Sequence, residues 1–107
     1  MVKYNRFDIL LISLDPTQGA EIQKTRPCVV ISPNEMNYAI RTLIVAPMTS
    51  QIRSYPTRVP VTFNSKKGSI VIDQIRTIDQ SRVIKKLGEL NNQTAKRVTG
   101  ILIEMFS

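Results

Sequence analysis

Residues 24–32 read KTRPCVVIS and place an arginine immediately before a short apolar run. Residues 28–32 are rich in β-branched side chains and are followed by Pro33, which predicts a buried strand that ends there. Pro27 biases Arg26 toward an extended backbone and fixes the direction in which its side chain leaves the strand. An arginine whose only role was to be solvated would not require a fixed backbone. The segment therefore predicts a β fold that holds an arginine at the mouth of a strand.

Four further apolar runs predict strands, over residues 7–14, 42–46, 58–63 and 69–78. Pro47 is expected to end the second of these, and residues 66–68 (KKG) to form a turn. Pro60 marks residues 58–63 as an edge strand or a bulge. Short strands joined by Pro, Gly and Asn turns favour a small barrel over alternating β–α–β units.

The C-terminal stretch has helical rather than strand periodicity. Asn92 is the expected N-cap, and apolar residues then recur at spacings of three and four, at Ala95, Val98, Leu102 and Met105. We therefore predict one domain over residues 1–107, mainly β, with an amphipathic helix packed on the barrel. A chain of 107 residues buries a modest core, so we also expect a homodimer.

The charge is strongly basic and unevenly distributed. The net charge is +7, and residues 53–86 hold eight lysines and arginines against Asp73 and Asp79. This segment predicts a surface for a polyanion or an acidic protein. The alternative is a solvated face that is basic for solubility only.

Composition excludes several classes of site. There is no histidine and only one cysteine, Cys28, so the chain offers no zinc site, no Ser-His-Asp triad and no disulfide. Cys28 lies in an apolar run, where a core role is expected. No Gly-rich phosphate loop occurs, and neither a metal nor a cofactor is expected. No signal peptide or membrane span is recognisable, which predicts a soluble, cytoplasmic protein.

The remaining polar candidates are Arg26, Glu21 and the pair Thr49-Ser50 that follows Pro47. A guanidinium offers a rigid fork of donors suited to phosphate oxygens, and hydroxyl groups after a strand can add to it. The plainer interpretation is an Arg26–Glu21 surface ion pair beside an ordinary turn, and spacing alone favours it.

Three stretches carry a resemblance to a known family: residues 8–37 (DILLISLDPTQGAEIQKTRPCVVISPNEMN), 42–50 (TLIVAPMTS) and 69–79 (SIVIDQIRTID). In order and spacing they resemble the MazF/PemK-type toxins of bacterial toxin–antitoxin modules. These are sequence-specific, metal-independent endoribonucleases that cut single-stranded RNA by attack of the 2′-hydroxyl. The resemblance implies a small SH3-like β-barrel with a C-terminal helix, a homodimer, and inhibition by an acidic antitoxin. The expected products are a 2′,3′-cyclic phosphate and a 5′-hydroxyl.

The resemblance also implies roles for individual residues. Arg26 matches the central catalytic arginine, Thr49 its partner, and Glu21 an acidic residue for which a general-base role is expected. Residues expected to contact RNA, from the matching positions or from the basic segment, are Thr17, Gly19, Ser50, Arg53, Asp73, Gln74 and Arg76.

Two alternatives remain open at this point. One is a gyrase poison of the CcdB type, which shares the fold but depends on a C-terminal Trp-Gly-Ile tail; this sequence contains no tryptophan. The other is a catalytically silent barrel that binds nucleic acid.

Overall fold

The structure is a computed structural model that describes residues 2–107. Within these residues, seven strands and two helices follow one another. They are β1 (Asp8–Ser13), β2 (Thr25–Val30), α1 (Asn34–Ala39), β3 (Thr42–Thr49), β4 (Arg58–Phe63), β5 (Lys66–Val71), β6 (Arg76–Asp79), β7 (Val83–Glu89) and α2 (Asn92–Phe106). Short 3₁₀ turns, Ile72–Gln74 and Gln80–Arg82, flank β6. The mainly β class with a C-terminal helix, predicted from the sequence, is confirmed.

The sheet is antiparallel and is organised around β3. Its order is β4-β5-β3-β2-β1-β7, and β6 pairs with β3 beside this path. One edge of β3 pairs with β2, whereas the other pairs first with β6 and then, at Met48 and Thr49, with β5. This change of partner curls the sheet on itself. Pro60 lies in β4, which ends the order on one side, so its predicted place in an edge strand is confirmed.

Both faces of the sheet are buried. Successive strand residues point to opposite faces, so Ile9 and Val29 join a core cluster that α2 covers, while Leu10 and Val30 join a second cluster on the other side. Each of these side chains is at most 1% exposed. Full burial of such a side chain stabilises the fold by about 1.5–3 kcal/mol.

Helix α2 packs with the predicted face. Ala95 and Val98 are buried, and Leu102 and Met105 pack against the same cluster. The predicted N-cap is wrong by one residue, because Asn91 makes the capping bond: its side-chain oxygen accepts from the backbone N–H of Thr94 at 2.8 Å.

The strand predicted over residues 28–32 is β2, which begins earlier, at Thr25, and ends at Val30. Three other predicted boundaries are wrong. Pro47 does not end β3, because it lies where one edge of β3 passes from β6 to β5, and an interrupted ladder tolerates a residue without an N–H. Residues 66–68 are the start of β5, and the turn lies one step earlier, at Asn64 and Ser65, which both have positive φ (52° and 64°). A tight hairpin with right-handed twist requires that geometry.

The third wrong boundary is the long strand over residues 69–78. It is broken after Val71 by the turn Ile72–Gln74. The side chain of Ile72 is fully buried there, which anchors the turn in the core under α2. Neither α1 nor β7 was predicted. Within residues 2–107, no helix has the length and apolarity needed to cross a bilayer.

Candidate active site

Arg26 and Thr49 line the same surface depression, which has a volume of about 280 Å³. Pairing between β2 and β3 explains why two residues so distant in sequence meet. Cys28 pairs with Pro47. Arg26 and Thr49 each lie two residues beyond this pair on their own strand, so the alternation of side chains directs both to the face of the Cys28–Pro47 pair. Side chains opposite one another on neighbouring antiparallel strands point to the same face.

The Arg26 side chain is half-buried and has no acidic partner. Its Nε donates to the backbone oxygen of Gln23 at 3.3 Å. Within residues 2–107, no carboxylate lies within 4.0 Å of it, so the plain ion pair with Glu21 does not form. Since an unneutralised guanidinium favours an anion, the arrangement suits a phosphate.

Thr49 supplies a hydroxyl at the end of β3. Its Oγ1 accepts from the backbone N–H of Gln51 at 3.2 Å, which leaves the hydroxyl proton free to be donated elsewhere. Ser50 follows in the same depression and is exposed.

Gly68, on β5, lies against the backbone of Thr49. A methyl group at Gly68 would overlap the backbone oxygen of Thr49 and lie 3.3 Å from its carbonyl carbon. Only a residue without a side chain permits this approach of the two backbones, so Gly68 helps to set the position of Thr49.

Lys66 and Lys67 also line the Arg26–Thr49 depression, beside Asn64 and Phe63. From the sequence, this lysine pair was placed at a turn and was not named among the residues expected to contact RNA. The hairpin turn instead lies at Asn64 and Ser65, which brings β5 and both lysines next to the site. The signal that pointed to them was the concentration of positive charge in residues 53–86.

A second depression, of about 220 Å³, is lined by Pro47, the residue before Met48, which lines the first depression. Glu21, Asp73, Gln74 and Arg76 line it. Glu21 is exposed, and its Oε1 accepts from the backbone N–H of Gln18 at 2.6 Å. The structure therefore places Glu21 beside the predicted RNA-contacting residues rather than in the depression of Arg26 and Thr49.

Side chains of this second depression hold two surface loops, which we call the first loop (residues 14–24) and the second loop (residues 50–57). Gln74 Oε1 accepts from the backbone N–H of Ile22 at 2.8 Å, and Arg76 donates to the backbone oxygen of Leu14 at 3.1 Å. Asp73 accepts from the Thr57 hydroxyl at 2.9 Å.

The other predicted RNA-contacting residues lie on the loops themselves. Thr17 is half-buried, whereas Gly19 is exposed and has a positive φ of 57°. Arg53 is exposed on the second loop. None of these three residues lines either depression.

Cys28 is excluded as a nucleophile by its surroundings. It is fully buried, and desolvation raises the pKa of its thiol to about 12, so the thiolate is scarce at neutral pH. Among residues 2–107, no group of three His, Cys, Asp or Glu side chains is arranged to hold a metal ion.

Comparison with known proteins relates the chain to a family of toxins. The model of the family described as "PemK-like, MazF-like toxin of type II toxin-antitoxin system" matches residues 5–106. A relative from Staphylococcus saprophyticus named endoribonuclease MazF is 34% identical over 103 residues, which cover 91% of this chain and 86% of the relative.

Two solved structures show the same fold. MazF from Deinococcus radiodurans superposes with a TM-score of 0.87 at 24% identity, covering 99% of this chain and 98% of the other. A mycobacterial endoribonuclease in complex with its cognate antitoxin superposes with a TM-score of 0.82 at 19% identity, covering 96% and 94%.

Proposed function

The chain belongs to the family of PemK-like, MazF-like toxins of type II toxin–antitoxin systems. We propose that it is an endoribonuclease that cuts single-stranded RNA in the depression lined by Arg26 and Thr49. One observation carries the proposal. An arginine without a carboxylate partner and a threonine hydroxyl line a single depression, with Lys66 and Lys67 at its border. Such a set of donors suits an RNA phosphate and the charge that develops on it.

The substrate explains why so few groups suffice. RNA carries its own nucleophile, the 2′-hydroxyl, next to the scissile phosphate. The 2′-hydroxyl gives its proton to a base as its oxygen attacks phosphorus. The bond to the 5′-oxygen breaks and that oxygen takes up a proton from water, so the products are a 2′,3′-cyclic phosphate and a 5′-hydroxyl. This chemistry needs no metal, provided that the protein stabilises charge on the phosphate oxygens. One preorganised donor contributes roughly 3–4 kcal/mol to that task.

Arg26, Thr49 and Ser50 are the proposed donors. The fork of Arg26 binds two phosphate oxygens, and the hydroxyls of Thr49 and Ser50 donate to the same group. A guanidinium keeps its proton in proteins, so Arg26 is not the base. Lys66 and Lys67 raise the local concentration of the polyanion.

Glu21 is the proposed general base. It stands at the second depression, so this role requires the RNA to span both depressions. The 2′-hydroxyl then lies at the depression of Glu21 and the scissile phosphate at that of Arg26. The predicted RNA contacts at Thr17, Gly19, Arg53 and Arg76 are part of the same proposal.

The proposal extends to partners and to the cell. A net charge of +7 favours an acidic antitoxin segment that orders on binding, and a solved relative is itself complexed with an antitoxin. We propose that the toxin is a cytoplasmic homodimer and that its cutting of messenger RNA inhibits growth.

Cleavage of a defined, end-labelled RNA in the presence of EDTA tests the proposal. The wild-type protein is expected to give specific fragments whose 5′ ends accept a phosphate from a kinase without prior dephosphorylation. Arg26→Ala is expected to lower the rate at least about 100-fold while the protein stays folded. Arg97→Ala, an exposed helix position outside both depressions, is the matched control.

Normal cutting by Arg26→Ala would refute the site. Breaks in DNA that depend on gyrase would support the gyrase-poison alternative, and retention of intact RNA would support the silent barrel.

A further inference from the structure

The turn Ile72–Gln74 connects both loops that border the two depressions. Gln74 Oε1 accepts from the backbone N–H of Ile22, in the first loop, across 52 residues of sequence. The adjacent Asp73 accepts from the hydroxyl of Thr57, in the second loop, and forms an ion pair with Arg58 at 3.5 Å. Two neighbouring side chains of one turn thus bind two separate loops.

We infer that Asp73 and Gln74 are positioning residues that fix the separation of the first and second loops and thereby select which RNA is cut. The inference rests on the proposed nuclease function and deepens it. It differs from the expectation that these two side chains read the RNA themselves.

The turn is suited to this task because it cannot move independently. Ile72 is fully buried in the core under α2, and the backbone N–H of Ile72 donates to the oxygen of Thr57 at 3.0 Å. A loop held by one or two bonds to such a fixed point keeps its place, whereas a loop without them gains conformational freedom.

The first loop is also held at its start. Arg76 donates to the backbone oxygen of Leu14, and Arg82 donates to that of Asp15 at 2.7 Å. Gln74 then holds the return of the same loop at Ile22. The backbone of Lys24 closes the base of the loop by bonds to Leu14 and Asp15 at 3.0 and 2.9 Å. Gln74 adds the hydrogen bond that fixes the backbone of Ile22 beside its packed side chain.

Two substitutions of Gln74 distinguish a positioning role from direct contact with RNA. Gln74→Glu keeps an oxygen for the Ile22 N–H but loses the NH₂ group, while Gln74→Leu loses both. The readout is selectivity, the ratio of kcat/KM for the preferred RNA to that for an RNA with one base changed. Because it is a ratio, the uniform effect of an added charge on RNA binding cancels.

Gln74→Leu is expected to lower selectivity about tenfold, and to speed hydrogen exchange of the Ile22 amide in the RNA-free protein by a similar factor. Gln74→Glu is expected to preserve both. Equal loss of selectivity in the two variants with unchanged Ile22 exchange would overturn the inference in favour of direct contact, and preserved selectivity in both would overturn it outright.

A substitution in the second loop tests the inference independently, and it remains available if Gln74→Leu fails to fold. Thr57→Val removes the hydroxyl that binds Asp73 without altering Asp73, and Thr62→Val, exposed on β4, is the matched control. Thr57→Val is expected to lower selectivity several-fold and Thr62→Val to leave it unchanged; equal behaviour of the two would overturn the inference. If the wild-type protein cuts no RNA, the nuclease proposal fails first and this inference fails with it.

Discussion

A single methyl group at Gly68 is expected to disable the site without touching any of the proposed catalytic side chains. The change Gly68→Ala places a carbon atom against the backbone oxygen of Thr49 and 3.6 Å from Cα of Ser50. The obstacle is backbone rather than a flexible side chain, so the two strands must separate. Restoring an ordinary carbon–oxygen contact of about 3.3–3.6 Å requires a shift of roughly 1 Å.

The shift has consequences for stability and for rate. Overpacking of this kind costs about 1–3 kcal/mol, and each kcal/mol lowers Tm by roughly 4–8 °C in a domain near this size. Misplacement of a reacting group by 1 Å can cost about 100-fold in rate. We therefore expect Gly68→Ala to reduce the cleavage rate about 100-fold at temperatures where it remains folded.

Single-turnover cleavage with enzyme in excess measures the rate, and thermal unfolding measures the stability. Gly100→Ala is the control, because nothing lies within 4 Å of a methyl group at that exposed helix position. It is expected to raise stability by up to about 1 kcal/mol and to leave the rate unchanged. A Gly68→Ala protein with wild-type Tm and a rate within about twofold of wild type would refute the reasoning, since no strand shift would have occurred.

Three further predictions concern protonation and charge. Glu21→Gln is expected to slow single-turnover cleavage by about 100-fold or more, and a full rate would exclude Glu21 as the base. Arg53→Ala is expected to reduce the salt dependence of RNA binding by about one unit of slope, and an unchanged slope would show that Arg53 stays off the RNA backbone. The raised pKa of Cys28, about 12 against 9.0, means that the unfolded chain loses this proton first as pH rises. Stability is therefore expected to fall between pH 9 and about 12 by up to about 1.4 kcal/mol per pH unit, and Cys28→Val to make the fall shallower in denaturant titrations; identical slopes would contradict the burial effect.

Several features of the fold follow from short-range patterns. Residues 58–63 alternate as a strand should, and β4 has those same bounds. The helical spacing of Ala95, Val98, Leu102 and Met105 places α2 and its buried face correctly. Each depends on chemistry within a few residues of chain, which periodicity describes well.

The boundaries that sequence reasoning missed depend on distant partners. Pro47 stays within β3 because β2 pairs with it on one edge while β6 and β5 share the other. The strand predicted over residues 69–78 breaks because Ile72 turns into the core under α2. Neither the change of strand partner at Pro47 nor the burial of Ile72 can be seen in the neighbouring sequence.

The sequence likewise predicted one part of the candidate site and missed another. The local sequence around Arg26 and Thr49, with the family resemblance it carries, was enough to single out both residues. It did not show that Lys66 and Lys67 border them, that Glu21 stands at a separate depression, or that Asp73 and Gln74 bind two loops.

By itself the sequence determined the chemical inventory: a guanidinium mounted before a proline, hydroxyls after a strand, an excess of positive charge and no histidine. Only the tertiary structure decided which of these groups meet. The reason is physical: strand register and the path of a turn result from burial and from hydrogen bonds between residues far apart in the chain, and one step of register moves a side chain to the opposite face.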